Sequence, residues 1–427
     1  MKKCLAILAA VMLLVSGLAM TASAEEQVTF TWLINKVEVQ NQLEGIAQMY
    51  MDTHPNVTII TEVAGGSVEP YATRLKSKMN SDDQPAIFVV EGPSDIATFS
   101  DYVADLTDDA IVADIMDGLL DNVTTAEGRV MALPLSVEGY GIIYNRAILE
   151  KAGIAPATIV DFASLKAAVE KMDGMKADLG LDAVFSIPGK ETWIVGSHMS
   201  TAFLNGEFAT PIAAWNSKTT ELANWDALKQ FVDLQADYSL KEGETRQVLV
   251  NKTYSDQIEG SFAIGKVALV HNGSWVAPIL AEVAPEMLEG DQIGFLPIPV
   301  EGYRTDSVVV GGTPYVAFNK ALPENVQAAA KDFYHWMYSD EAAVAYVLND
   351  LQFIPPFKSL DASLVSNPLA RDLLKYMSEG KTLSMMYLGT PTGWKSYTGE
   401  KLQEYWTGRD WAECVQDLKD KWTELAK

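Results

Sequence analysis

The sequence predicts an α/β protein of two lobes, with sheets rich in parallel strands and a chain that crosses between the lobes more than once. Three observations predict this. Strand and helix patterns alternate through the first quarter of the chain. Strand–helix units recur towards the other end with mostly helices between, and no linker of biased composition separates the two groups. Some 400 residues also exceed one comfortable core, which makes two lobes the expectation.

The opening segment, "MKKCLAILAAVMLLVSGLAMTASA", carries Lys2 and Lys3, an apolar run from Leu5 to Val15, and Ala22-Ser-Ala24. That is the pattern of an export signal cleaved after Ala24. Ser16, Gly17 and Thr21 interrupt the run before the ~20 apolar residues that a membrane span needs. Cys4 lies inside this segment, too early to be a lipid-modified cysteine, so no lipobox is expected and the remaining chain keeps only Cys414. A soluble exported chain without an internal disulfide is the expectation, in the periplasm or at the cell exterior, because a core of this size needs no staples.

After the signal, Val28–Ile34 reads as a β-branched and aromatic strand, and Val39–Met51 as an amphipathic helix closed by Pro55. Val57–Val63 is a second strand, Gly65-Gly66 a turn, and Pro70 the opening of another helix. Pro85–Val90 is almost wholly apolar, as a strand buried on both faces should be. Ligands of such sheets sit at the carboxyl ends of the strands. That directs attention to Asn35-Lys36, to Glu91-Gly-Pro-Ser94-Asp95, and to the loop after the next strand.

Further on, two extended pieces, Val130–Leu135 and Gly141–Tyr144, flank Ser136–Tyr140. Helices are expected at Arg146–Ala152, at Thr158–Lys171 with Asp161 as N-cap, at Trp193–Phe203 and at Trp225–Leu234. Val267–His271 reads as a strand that stops at a tight turn, Asn272-Gly273, with Trp275 two residues later. Ile293–Pro297 and Val308–Gly312 are extended; Pro323–Tyr338 and Ala412–Leu425 are helical.

Removing the two signal lysines leaves 30 basic and 57 acidic residues, a net charge of −27. Such a charge excludes nucleic acid as the natural partner, since phosphates need a basic face, and disfavours anionic membranes. The four histidines are isolated, with no HExxH and no Cys/His pairing, so neither a metal nor a cofactor is expected. GxSxG, Walker and GxGxxG motifs are absent.

The segments "LPLSVEGYGIIYNRAILEKAGI" (133–154), "FAIGKVALVHNGSW" (262–275), "IGFLPIPVEG" (293–302), "GGTPYVAFNK" (311–320) and "AAAKDFYHWMYSDEAAVAYV" (328–347), in this order, resemble the solute-binding proteins of ABC importers. The likeness is to the carbohydrate-binding branch that includes maltose-binding protein, and it spans essentially the whole chain after the signal. It implies a periplasmic-binding-protein-like fold with the ligand in the cleft between lobes, capture of a sugar without chemistry, and delivery to a membrane permease by an expected monomer. It places residues 25–137 and 293–340 in the first lobe, and 141–288 and 345–427 in the second.

The resemblance also assigns candidate ligand-binding residues. In this branch an "NGxW"-type turn delivers an aromatic ring to the sugar, which points to Trp275. "VEGY" matches a stretch at the first crossing whose glutamate touches sugar, which points to Glu138 and Tyr140. Asn35 and Lys36 stand where the family has a charged pair, although this chain has no aspartate there. Asp95 is the candidate after the third strand, with Glu91 and Ser94 competing. Gly312, beside Gly311, would let backbone approach the ligand or simply make a bend; Trp394 and Trp193 are further aromatic candidates.

Two other readings stay open. Glu91, Asp95 and Glu138 with Trp275 could cage a polyamine or another cation. A secreted glycosidase would need two carboxyls about 5–10 Å apart, for which the sequence shows no local signature.

Overall fold

The computed structural model describes residues 26–65 and 71–426; the expected signal segment, Gly66 and Pro70 lie outside them. The strands among the described residues are β1 (Val28–Ile34), β2 (Val57–Val63), β3 (Ile87–Val90), β4 (Leu133–Pro134), β5 (Val137–Asn145), β6 (Phe185–Ser186), β7 (Leu269–Gly273), β8 (Ile293–Leu296), β9 (Val308–Gly312), β10 (Tyr315–Phe318) and β11 (Thr382–Leu383). They form two sheets.

The first sheet runs β2-β1-β3-β10-β4. Its first three strands are parallel, as the alternating pattern predicts, whereas β10 runs antiparallel to β3 and β4. The helix Gln40–Thr53 makes the β1-to-β2 crossover. It buries Leu43, Ile46, Ala47 and Tyr50, the i, i+3, i+4, i+7 stripe that faces a sheet. Each fully buried leucine or isoleucine of that stripe contributes roughly 1.5–3 kcal/mol. Phe333, on the helix Glu324–Ser339, packs edge-on against Trp32 of β1 and Tyr50, at 5.3 and 5.2 Å between ring centroids.

The second sheet runs β11-β9-β5-β7-β6, with β8 also on β5. It is mixed: β5 is antiparallel to β7, β8 and β9, while β6–β7 and β9–β11 are parallel. Of the two extended pieces expected around Ser136–Tyr140, the first holds β4 of the first sheet and the second lies within β5, which begins earlier than expected: Val137–Tyr140 pairs with β9 and Tyr140–Asn145 continues against β7 and β8. Asn272-Gly273 is likewise not a turn. Both residues pair with Gly141 and Tyr140 as the end of β7, and the chain turns only at Ser274–Val276. Asp161 caps Phe162–Gly174 as expected, accepting the Ser164 N–H at 2.8 Å.

The crossings differ from the expected boundaries. The chain leaves the first sheet between β4 and β5, at Leu135-Ser136. Because β8 and β9 pair with β5, residues 293–312 belong to the second sheet, and the return comes at Thr313-Pro314 instead of near 290. Residues 345–357 stay with the first lobe: Tyr346 lies against Gly45, and Phe357 bridges to Ile115. The chain returns to the second sheet with the helix Pro368–Ser378, whose Asp372 accepts the Phe295 N–H at 2.9 Å, and with β11 beside β9. The strand pattern could not show this, because pairing partners are chosen by contacts far along the chain.

Ser136 ties these crossings together. Its hydroxyl accepts the Ile354 N–H at 3.0 Å, its carbonyl accepts the Thr313 N–H at 2.9 Å, and Val137 N–H donates to the Ile354 carbonyl at 2.8 Å. Two crossings thus run side by side with the Ile354 segment against them, the arrangement of a hinge. No helix among the described residues is long and apolar enough to cross a membrane.

Candidate functional site

The turn after β7 carries Trp275 to the edge of the second sheet, beside the first crossing. Its ring is 9% exposed and heads a cluster of rings. Tyr140 on β5 is 6.2 Å away between centroids, His198 4.7 Å and Trp193 6.3 Å. Tyr254 joins Trp193 at 5.6 Å, and Tyr387 joins His198 at 5.4 Å. Residues Trp193–Met199 form a π-helix, a wider winding that often marks functional sites.

Lysine–glutamate pairs stand at both ends of this cluster. Lys36, just after β1 in the first lobe, donates to Glu138 Oε1 at 2.5 Å, lies 3.4 Å from Glu38, and sits 5.8 Å from the Trp275 ring centre. At the other end Lys395, on the helix Trp394–Trp406 of the second lobe, pairs with Glu91 of the first and lies 5.2 Å from the Tyr387 ring centre. Ser94 and Thr392 share a hydrogen bond across the same seam.

Burial sets the electrostatics. It raises the Glu138 carboxyl above its ordinary value, with the charge of Lys36 pulling the other way. On Lys36 burial works downward but loses to Glu138 and Glu38, so the ammonium is held more firmly than usual. Asp95 is pushed up to about 6 by burial and by the charge of Glu91, whose N–H it accepts at 2.8 Å. His198 is held well below its ordinary value by burial, then by His271 and the two lysines, so its ring is uncharged.

Trp275, Glu138, Tyr140, Lys36 and Trp193 therefore come together as the sequence proposes, and Asn35 adjoins Lys36 with its side-chain oxygen buried and unpartnered. Asp95 lies at the Glu91 end of the cluster. Two candidates go elsewhere. Trp394 is 0% exposed, donates to the Leu418 carbonyl at 2.9 Å and packs on Trp422 at 5.0 Å, so it is core of the second lobe. Gly312 serves packing: a β-carbon there would stand 2.8 Å from Pro134 Cβ and 3.2 Å from the Leu119 carbonyl.

Sequence reasoning missed His198, Tyr254, Tyr387 and Lys395. No local pattern marks them, and Lys395 lies 304 residues from its partner.

A larger concavity, about 730 Å³, lies at the far end of β5 among Tyr144, Arg146, Asp291, Arg371 and Lys381. Its charges are largely satisfied within the protein, Arg371 by Asp291 at 2.9 Å and Lys381 by Glu379 at 2.8 Å. Size alone does not make it the site; the ring cluster between the lobes has the converging polar groups. Among the described residues there is no group of His, Cys, Asp and Glu able to hold a metal.

Two mixed α/β lobes, three crossings and an aromatic seam between the lobes define a protein that captures a ligand by enclosing it. The model of the bacterial extracellular solute-binding protein family matches residues 45–373, and the chain belongs to that family. The melibiose/raffinose/stachyose-binding protein MelE of Bacillus subtilis is 24% identical over 327 residues, 74% of this chain and 71% of MelE.

Among solved structures, the binding protein RafE in complex with raffinose superposes with a TM-score of 0.74 at 17% identity, covering 94% of this chain and all of RafE. A sugar transporter protein of Bacillus licheniformis in complex with stachyose gives 0.72 at 20% identity, over 93% of this chain and 100% of its own. A chitin oligosaccharide binding protein gives 0.75 at 20% identity, over 93% and 99%. At these identities the structures speak for the fold.

Proposed function

We propose that this protein captures an uncharged sugar or oligosaccharide between its lobes and hands it to an ABC transporter permease, acting as a monomer and doing no chemistry on the ligand. Residues 1–24 serve as its export signal, and with no lipobox cysteine the protein acts free in the periplasm or at the cell exterior. The observation that carries the reading is the aromatic seam at Trp275, closed at each end by a lysine–glutamate pair. A sugar ring offers a C–H face that packs on an aromatic plane, and its hydroxyls meet the polar rim. The sugars named for MelE, RafE and the Bacillus licheniformis protein support the same class.

The same geometry weakens the cation reading. A polyamine needs free carboxylates, but Glu138 and Glu91 are each already held by a lysine, which leaves Asp95 alone of the three acids.

The test is a thermal-shift screen of residues 25–427 against melibiose, raffinose, stachyose and chitin oligosaccharides, with spermidine, amino acids and phosphate alongside. Ligand at a hundred times its dissociation constant stabilises by ~2.7 kcal/mol, enough to raise the melting temperature measurably. A response to spermidine and to no sugar would overturn the reading, and so would release of monosaccharide from any oligosaccharide. With a sugar identified, Trp275→Ala should weaken its binding by ~1 kcal/mol or more.

A further inference from the structure

His198 stands at the centre of the ring cluster, and its side chain is unusual among the groups there. It is 7% exposed, yet its Nδ1 is buried with no hydrogen-bond partner. Stacking does not explain a histidine at this place. Tyr140 at 4.6 Å and Trp275 at 4.7 Å would pack as well on phenylalanine, which has no polar atom to strand. Leaving a buried ring nitrogen unpaired is costly, so such an atom asks for a partner from outside the chain.

Three more atoms of the same cluster are in the same position. Trp275 Nε1 and the hydroxyls of Tyr254 and Tyr140 are buried and unpartnered, whereas Trp193 Nε1 is satisfied by Glu191 at 3.1 Å. The four differ in what they require. An indole N–H only donates, so its partner must accept; a tyrosine hydroxyl does both; an uncharged imidazole has one donor and one acceptor nitrogen. An ammonium ligand offers donors alone and would leave Trp275 Nε1 unpaired. A hydroxyl both donates and accepts, so a ligand bearing several of them can satisfy atoms of each of these kinds.

We infer that His198 is a ligand-binding residue of this cleft, hydrogen-bonding a hydroxyl of the sugar that lies against Trp275, with Tyr254 and the Trp275 N–H binding neighbouring hydroxyls. The inference rests on the sugar reading above and deepens it: the site selects its ligand by hydroxyl pattern on the second lobe, through an imidazole.

The experiment is calorimetric titration of raffinose into the wild type, His198→Phe and His198→Asn. Phenylalanine keeps the ring and removes the polar atoms; asparagine keeps a polar atom near the position of Nδ1 and loses the ring. His198→Phe should bind at least ~10-fold more weakly, about 1.4 kcal/mol, and His198→Asn more tightly than His198→Phe. The reverse order, or His198→Phe within twofold of the wild type, would overturn the assignment while leaving the sugar reading intact. A variant that fails to fold is replaced by nitrogen NMR of the wild-type imidazole, whose Nδ1 resonance should move on adding raffinose; an unmoved resonance counts against the assignment. If raffinose does not bind, the titrations use the tightest sugar of the screen. Failure of every sugar to bind the wild type would overturn both readings together.

Discussion

The indole of Trp275 lies over Gly273, occupying the space where a β-carbon on that glycine would stand. The backbone at Gly273 is extended, with φ at −121°, so the chain itself would accept any residue there. Glycine is present because of the ring two residues later. The absent side chain lets Trp275 fold back along the end of β7 and face the seam between the lobes.

Gly273→Ala should therefore keep the fold and displace the ring. Sugar affinity is expected to fall ~10-fold or more, about 1.4 kcal/mol, with a changed tryptophan emission maximum and an unchanged circular dichroism spectrum. Affinity equal to the wild type would show that the position of the ring does not matter to binding.

Lys36 and Glu138 should behave as a coupled buried pair. Lys36→Met strands the Glu138 carboxyl and should cost about 3 kcal/mol in urea unfolding. Glu138→Gln should cost less, because Glu38 remains 3.4 Å from the ammonium. The double variant should recover much of the loss, since removing both charges removes the desolvation cost as well. Additive losses would mean that the two residues act separately.

Asp95 gives a pH-dependent prediction with a definite sign. Its folded pKa of about 6 lies above the ordinary 3.8, so the folded chain holds the proton more tightly than the unfolded one. The stability linked to that proton is present below about pH 4, is lost as pH rises through about 6, and is absent above it. Asp95→Asn should thus be more stable than the wild type at about pH 7.5, on the order of 1 kcal/mol, and equal to it near pH 4. The comparison needs only melting curves at the two pH values.

Ser136→Ala removes the hydroxyl that accepts the Ile354 N–H between the crossings. The stranded buried N–H should cost about 1–3 kcal/mol of stability. Because the bond ties the first crossing to the Ile354 segment beside it, small-angle scattering should also show a changed response of overall dimensions to sugar. A thermally unchanged variant would place the hinge elsewhere.

Much of the fold was legible along the chain. β1, β2 and β9 stand where alternation and β-branched composition put them, and the cap at Asp161 follows from local chemistry alone. Such features are settled by residues within a turn or two of each other. The pairing of β8 and β9 with β5, and so the true crossings, was not legible, because an extended segment carries no mark of the strand it will join. The site divides in the same way. Trp275 stood out by its place past a strand's end and Glu138 through the family resemblance, while Trp394, a further aromatic candidate, is core.

The sequence by itself determined that this is an acidic two-lobed α/β chain with an aromatic residue set beyond a strand's end, because composition, periodicity and turn chemistry act over short distances. Tertiary structure alone decided which groups meet there. Lys36 reaches Glu138 across 102 residues and Lys395 reaches Glu91 across 304. His198 is enclosed among rings from four separate segments. Whether a lysine lies free or paired, and whether a histidine is charged or neutral, depends on burial and on neighbours through space, and neither is written in the order of residues.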